Sequence, residues 1–292
     1  MMKRMDRTEI IFKVLSYVLL TIFALCCLYP FIFVLSSSVS SRQAVENSEI
    51  WLWPDEINIS AYAFIFQKKE FWVSYCNTFF LTMYGTLVSM LVAITGAYAL
   101  SKPRLLFGRG FNFMLVFTMW FNAGMIPTYQ NFLNFGVNNM YGFIIALGFN
   151  AFNIILLRNY FSSVPTEIEE AATIDGATEF QLLLRIYIPM SKSSIITVAM
   201  FYAVSRWNGY IWAQMLITKP SDFPLTVYIR NNIQSLADEI QSGETKLATE
   251  AMFSGYSLQY ATIVCSIVPI IIIYPMLQKY FAAGLNVGGV KE

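Results

Sequence analysis

Residues 170–189 read Glu-Ala-Ala-Thr-Ile-Asp-Gly-Ala-Thr-Glu-Phe-Gln-Leu-Leu-Leu-Arg-Ile-Tyr-Ile-Pro, and they interrupt a chain that is otherwise almost continuously apolar. Local chemistry divides this stretch into two short helices. Pro165 ends the exit from the apolar segment before it. Thr166 and Glu169 then have the spacing of a capping box, with hydroxyl and carboxylate each placed to satisfy a free backbone N–H, so a helix is predicted from about residue 167. Asp175-Gly176 supplies a stop. Thr178 and Gln181 repeat the box and start a second helix, which Pro189 limits.

The flanking sequence sets the solvent. With 57% hydrophobic residues, 13% charged residues and a mean hydropathy of +0.54, a chain of 292 residues is too apolar for a soluble domain. A helix needs about 20 mostly apolar residues to cross a bilayer. Stretches 11–35, 77–100, 111–129, 140–157, 194–217 and 256–277 qualify, which predicts an all-α integral membrane bundle of six transmembrane helices in one domain. These runs lack the period-2 alternation that barrel strands require. The first is longer than the apolar region of a secretory signal, about 7 to 15 residues, and no Ala-x-Ala pattern follows it, so it reads as a retained span.

Six spans place both termini on one side, and the basic residues choose the side. Lys3, Arg4, Arg7, Lys13, Lys102, Arg104, Arg109, Arg158, Arg185, Lys192, Lys279 and Lys291 fall on the face that carries both termini and segment 166–189. Arg42, Lys68, Lys69, Lys219, Arg230 and Lys246 fall on the other, diluted in two long loops. The expectation is cytoplasmic termini, a cytoplasmic 166–189 segment and external loops at 36–76 and 218–255. An interfacial helix is expected near 60–71. Trp51, Trp53, Trp72 and Trp212 suit interfacial belts by position.

Much chemistry is excluded. The chain has no histidine, and Cys26, Cys27, Cys76 and Cys265 lack metal-type spacing, so neither an ordinary zinc site nor a His-dependent triad can be assembled. There is no Gly-x-x-x-x-Gly-Lys-Ser/Thr loop, so any ATP belongs to a partner. A net charge of +1 offers nucleic acid no electrostatic footprint. No Asp or Glu lies in the six stretches, which argues against an ion-coupled carrier. No internal repeat is evident.

The spacing Glu170-Ala171-Ala172, three residues, Gly176, nine residues, Ile186-x-Ile188-Pro189 resembles the EAA loop of ABC-importer permeases, departing only in Ile188 where that family has Leu. Trp53-Pro54 with Ile59-Ser60-Ala61-Tyr62 and Phe66 resembles the MalG-like carbohydrate permeases. The string Asn122-Ala-Gly-Met-Ile-Pro-Thr-Tyr129 resembles the LplC/YtcP-type polysaccharide permeases. Trp207-Asn208 and the tail Gln278-Lys-Tyr-Phe281, Gly284, Gly288 and Lys291 extend the likeness nearly end to end.

That resemblance implies the MetI-like fold of type I importers in the bacterial cytoplasmic membrane, working as half of a pore for oligosaccharides or polysaccharide fragments. Glu170, Ala171, Ala172, Asp175 and Gly176 would form the coupling helix seated on an ATPase subunit dimer, where the two alanines permit close approach. The implied partners are a second, MalF-like permease and an extracytoplasmic solute-binding protein received by the external loops. No cofactor would be bound by this chain, since ATP and Mg belong to the ATPase. A permease for a non-sugar solute is the alternative.

Arg206 is the one formal charge deep inside a predicted span. Such a charge faces a polar cavity or a partner, so it either lines the pathway, which suits acidic uronate-containing cargo, or pairs with a carboxylate or helix-end carbonyls of the companion subunit. Asn122, Tyr129, Tyr202, Arg206, Trp207 and Asn208 are the pathway candidates.

Overall fold

The structure, a computed structural model, describes residues 7–242 and 253–285. Lys3, Arg4, Lys246, Gly288, Lys291 and stretch 243–250 lie outside the described residues. Side chains from 276 onward, including those of the Gln278 to Phe281 motif, do too. The described chain is helical, with no strand. It divides into two compact units, Met1–Lys69 with Ile229–Pro269, and Glu70–Tyr228 with Ile270–Glu292.

In the first unit, α1 (Arg7–Ser38) is apolar all round and exposed along nearly its whole length, the signature of a helix whose solvent is lipid or another membrane helix. Its serine-rich exit is buried, and the hydroxyls of Ser36, Ser38 and Ser40 are hydrogen-bonded there. Ser36 Oγ donates to Leu52 O at 2.7 Å, Ser40 Oγ to Ser36 O at 2.7 Å, and the Ser38 and Tyr62 hydroxyls share a 2.7 Å bond. The short helix α2 (Arg42–Glu46) follows, and Ala44, Val45 and Ile50 build a small core with Tyr260. Helix α3 (Ser60–Gln67) occupies the segment expected to hold the interfacial helix, ending at Lys68.

The second unit is organised on α4 (Lys69–Ser101), which contains the predicted 77–100 span. Its buried face is a row of small residues, Gly85, Ser89, Ala93 and Ala97, spaced four apart. Such a row lets neighbouring helices approach closely where water-driven collapse is absent. Around it stand α5 (Gly108–Trp120), α6 (Met125–Asn134), α7 (Met140–Ala146), α8 (Ala151–Phe161), α9 (Thr166–Ile174), α10 (Glu179–Leu182), α11 (Ile188–Met190), α12 (Lys192–Trp207) and α13 (Tyr210–Leu216). One core joins Ala93, Ala97, Ile154, Leu157, Leu182 and Val198. A second joins Leu81, Phe143, Ile144, Ala213 and Leu216. Helices α14 (Leu225–Ser242) and α15 (Gly255–Leu285) complete the chain, the latter containing the sixth predicted span.

Three helices are long and apolar enough to cross a membrane singly, and counting bent pairs as one span raises the number to five among the described residues. The other predicted stretches are interrupted. In 111–129, α5 ends at Trp120 after 13 residues, about 20 Å of helix against a hydrocarbon core of about 30 Å. Asn122 Oδ1 then accepts the Gly124 N–H at 2.9 Å, a local turn that competes with helix. In 140–157, α7 and α8 meet at 49°, and the Asn150 side chain caps α8 by accepting the Asn153 N–H at 3.0 Å. In 194–217 the helix stops at Trp207, Asn208 forms its C-cap, and α13 resumes at Tyr210.

Candidate functional site

Segment 166–189 folds as helix, turn, helix. Helix α9 ends in a Schellman motif: the Gly176 N–H bonds Thr173 O at 3.0 Å and the Ala177 N–H bonds Ala172 O at 3.0 Å. Gly176 has φ +81°, where an L side chain is strained, although a Cβ there would meet nothing within 4 Å. Backbone conformation, not crowding, is what glycine serves at this turn. The second capping box forms, with Thr178 accepting from the Gln181 N–H and Gln181 from the Thr178 N–H.

The first box does not form. Pro165, whose side chain has no acceptor, is the N-cap of α9, and Glu169 is engaged elsewhere. Pro189 does not end the second helix either. The run from Glu179 to Met190 continues through a π turn at Leu183–Tyr187, where the Ile188 N–H reaches back to Leu183 O, and then bends 86° into α12. Proline lacks the N–H that an α ladder needs and crowds the carbonyl four residues earlier, so the turn before it widens.

Glu169 lies in a compact charged cluster. Lys102, 8% exposed, places Nζ 2.7 Å from Glu169 Oε1 and donates to the Tyr187 hydroxyl at 2.9 Å. The Tyr187 hydroxyl donates in turn to Glu169 Oε2. Arg104 pairs with both Glu169 and Glu179, and the Tyr98 hydroxyl donates to Glu179 Oε2 at 2.7 Å. The Lys102 ammonium also stands over the Tyr98 and Tyr187 rings, 4.4 and 4.1 Å from their centroids. Burial alone would raise the Glu169 carboxyl, but the Lys102 and Tyr187 hydrogen bonds and the Lys102 and Arg104 charges outweigh it and hold it below its ordinary value. Burial and the Glu169 bond push the Tyr187 phenol up, so it stays protonated and a donor.

Outward, α9 presents an apolar surface among acids. Glu170 and Ala171 are exposed, while Ala172 packs partly buried against the first core, so only one of the two alanines is open to close approach. Ile174 is 86% exposed and Phe180, across the Gly176 turn, is 68% exposed. Two large apolar side chains thus stand open on an otherwise polar segment.

Arg206 lies near the end of α12 and is 8% exposed. Its Nη1 donates to Phe143 O at 3.1 Å; Nη2 donates to Ile144 O at 2.9 Å and Ser89 Oγ at 3.3 Å. These are last-turn carbonyls of α7, the orphan acceptors that a broken helix exposes. The guanidinium is therefore held by helix-end carbonyls of its own chain, where a companion subunit's carboxylate or carbonyls were the expected partners. No carboxylate pairs with it among the described residues. It borders a cavity of about 440 Å³ whose walls include Asn150, Asn153, Phe201, Tyr202 and Trp212. The Tyr202 hydroxyl is buried without a hydrogen bond of ordinary geometry.

Of the pathway candidates, Tyr202 and Arg206 line this cavity. Asn122 is exposed at the α5–α6 break, Tyr129 packs against the second core, Trp207 stands edge-on to Tyr75 at 6.2 Å, and Asn208 is an exposed helix cap. Trp212, expected at an interface, packs edge-on to Phe132 at 5.6 Å and forms cavity wall. Sequence reasoning missed Asn150 and Asn153, whose signal was two amides in an otherwise apolar run. It also missed the Lys102 cluster, whose members lie up to 85 residues apart.

Spanning helices, a polar helix-turn-helix segment between them and a sequence without a nucleotide-binding loop define the class: a membrane subunit of a multi-component transporter. The chain belongs to the family of binding-protein-dependent transport system inner membrane components, whose model matches residues 2–287. It is similar to the polygalacturonan/rhamnogalacturonan transport system permease protein YtcP of Bacillus subtilis, 33% identical over 282 residues, 96% of this chain and 98% of that protein. It is also similar to protein LplC of Bacillus subtilis, 33% identical over 267 residues, 90% of this chain and 88% of that one. Among solved structures it is similar to a chain in a bacterial ABC transporter involved in the import of the acidic polysaccharide alginate. That chain is 45% identical with a TM-score of 0.87, covering 96% of this chain and 99% of the other. The all-α, MetI-like permease fold expected from the EAA loop is the fold observed, in an inner-membrane component of an ABC transporter.

Proposed function

We propose that this chain forms half of the pore of a type I ABC importer for acidic, uronate-containing oligosaccharides. The observation that carries the cargo class is Arg206, a cation with no carboxylate partner among the described residues, bordering a cavity that also offers amides and aromatic faces. Its volume falls within the range of small-molecule sites, about 300 to 1,000 Å³. A guanidinium suits a carboxylate, and Tyr202 and Trp212 suit the apolar faces of a sugar ring. Relatives named for alginate and polygalacturonan import, both acidic polymers, support the same reading.

In this reading the chain hydrolyses nothing and binds no cofactor. ATP and Mg sit on an ATPase dimer, which takes α9 through Glu170, Ala171, Ile174 and the Gly176 turn. A second permease completes the pore, and a solute-binding protein delivers cargo to the external loops. Both termini are cytoplasmic, in line with the distribution of Lys and Arg.

Proteoliposomes holding the complete transporter test this. ATP-driven uptake of uronate oligosaccharides should exceed that of neutral oligosaccharides of equal length, and Arg206→Gln should narrow the gap. Equal uptake of both cargos, or equal loss of both in the variant, would count against acidic selectivity.

A further inference from the structure

The exit of α4 and the outer helix α9 are joined by side chains from both, 65 or more residues apart in sequence. Covalently, α9 connects only to α8 before it and α10 after it. Through Glu169 it is also bound to Lys102 and Arg104, which come directly after α4. Through Glu179, at the start of α10, the same loop and the last turn of α4 are bound again, by Arg104 and Tyr98.

Exposed ion pairs contribute little, because water screens them and long side chains must be ordered. Lys102 differs in being buried, and it is held from several directions at once: by the Glu169 carboxylate, the Tyr187 hydroxyl and two aromatic rings. Removing one partner would leave a desolvated charge behind, which resists opening. The π turn delivers Tyr187 to this cluster. Its extra residue rotates the downstream side chains by about 100° around the helix axis, and Tyr187 is seated edge-on between Tyr98 and Phe161, 5.0 and 5.7 Å from their centroids.

We infer that Lys102, Arg104, Glu169, Glu179 and Tyr187 form a latch that makes α9 and α4 move as one body, so that displacement of α9 by the ATPase is delivered to α4 directly. This rests on the reading of α9 as the ATPase contact. Helix α4 is well placed to receive the motion, since its Ser89 accepts from the Arg206 guanidinium and a Cβ at its Gly85 would press on that side chain. The five residues are positioning residues: they touch neither cargo nor nucleotide.

The test uses the complete transporter with its binding protein in proteoliposomes and measures ATP hydrolysed per saccharide imported. Tyr187→Phe keeps the ring contacts and deletes both hydroxyl bonds. Glu169→Gln removes the central charge. With the latch open, each should hydrolyse ATP at close to the wild-type rate while the ATP-to-saccharide ratio rises at least about fivefold, the lower end of ordinary coupling energies. The exchange Lys102→Glu with Glu169→Lys should lower the ratio again relative to Lys102→Glu alone, a rescue that a purely packing role does not produce. Should Glu169→Gln fail to fold, Tyr187→Phe carries the test. An unchanged ratio in folded protein, or transport and hydrolysis falling in equal proportion, overturns the latch. Ala171→Trp, run alongside, separates the two ideas. If it stops ATP-driven transport while the latch variants are silent, the latch alone falls; if it leaves transport intact, the docking of α9 falls and the latch with it.

Discussion

Arg206 Nη2 donates to the carbonyl of Ile144 at 2.9 Å, so the one charge deep in a predicted span serves as the C-cap of a different helix. The break between α7 and α8 leaves carbonyls of the buried residues Phe143 and Ile144 without N–H partners. A planar guanidinium reaches two of them and Ser89 together. Those carbonyls accept its protons without supplying a counter-charge. The capping role and a place on the cavity wall thus coexist in one side chain.

Arg206→Met should therefore act on stability as well as transport. Leaving the Phe143 and Ile144 carbonyls unpaired is expected to cost about 1 to 3 kcal/mol, read as a lower midpoint of thermal unfolding in detergent. Arg206→Lys keeps the charge but cannot span both carbonyls. It should fall between wild type and Arg206→Met in stability, and retain more preference for acidic cargo than Arg206→Gln. A midpoint unchanged in Arg206→Met would contradict the capping role.

The Glu169 carboxyl is held below its ordinary value, which gives the cluster a pH signature with a definite sign. A depressed acid contributes stability that is fully present above its unfolded value, about 4.3, and lost as pH falls through the lower folded value. Between pH 7 and 5 the cluster should be insensitive. Below that, hydrogen exchange in peptides covering 101–107 and 166–174 should lose the protection that wild type holds over Glu169→Gln, the two converging at the acid end. Convergence already at neutral pH would show that the carboxylate contributes nothing.

The features legible from sequence were local. The Thr178–Gln181 box and the Gly176 stop were readable because the residues that make them lie within a few positions of one another, and the apolar character of α1, α4 and α15 is a property of continuous runs. Glu169 shows the limit. Its spacing to Thr166 matched a capping box, but Lys102, 67 positions earlier, offers a charged partner at 2.7 Å, a stronger bond than a neutral cap. Arg206 shows it again, since its acceptors lie more than 60 residues away on a helix whose early end no apolar count reveals. The breaks at Asn122 and Asn150 share one cause. Asn side chains offer the backbone alternative hydrogen bonds and caps, and hydropathy scales do not weigh that.

Gly176 tests the turn between the two helices of the segment. At φ +81° a β-branched residue is strained, and Gly176→Val should cost about 1 to 2 kcal/mol or rearrange the turn. Gly176→Asn, which tolerates the left-handed region, should cost clearly less. Because open space surrounds the position, a difference between these variants reports backbone strain and not collision. Comparable losses in ATP-driven transport for both would instead indicate that a partner occupies the space.

Gly85 of α4 faces the cavity cation with no room for a side chain. A Cβ built there would stand 3.0 Å from Arg206 Nε and 3.2 Å from Cδ and Cζ, tighter than ordinary contact. The guanidinium is pinned at its far end by two carbonyls and cannot swing away without releasing one, so Gly85→Ala should displace it and reproduce part of the Arg206→Met phenotype. The two changes act on one contact and should not add. With Arg206 already replaced by Met, the penalty of Gly85→Ala should shrink by about 0.5 kcal/mol or more in thermal unfolding, the size of coupling found between touching residues. Strict additivity would mean that alanine at 85 is accommodated by a shift of α4 itself, and that the small-residue row is not what sets the position of Arg206.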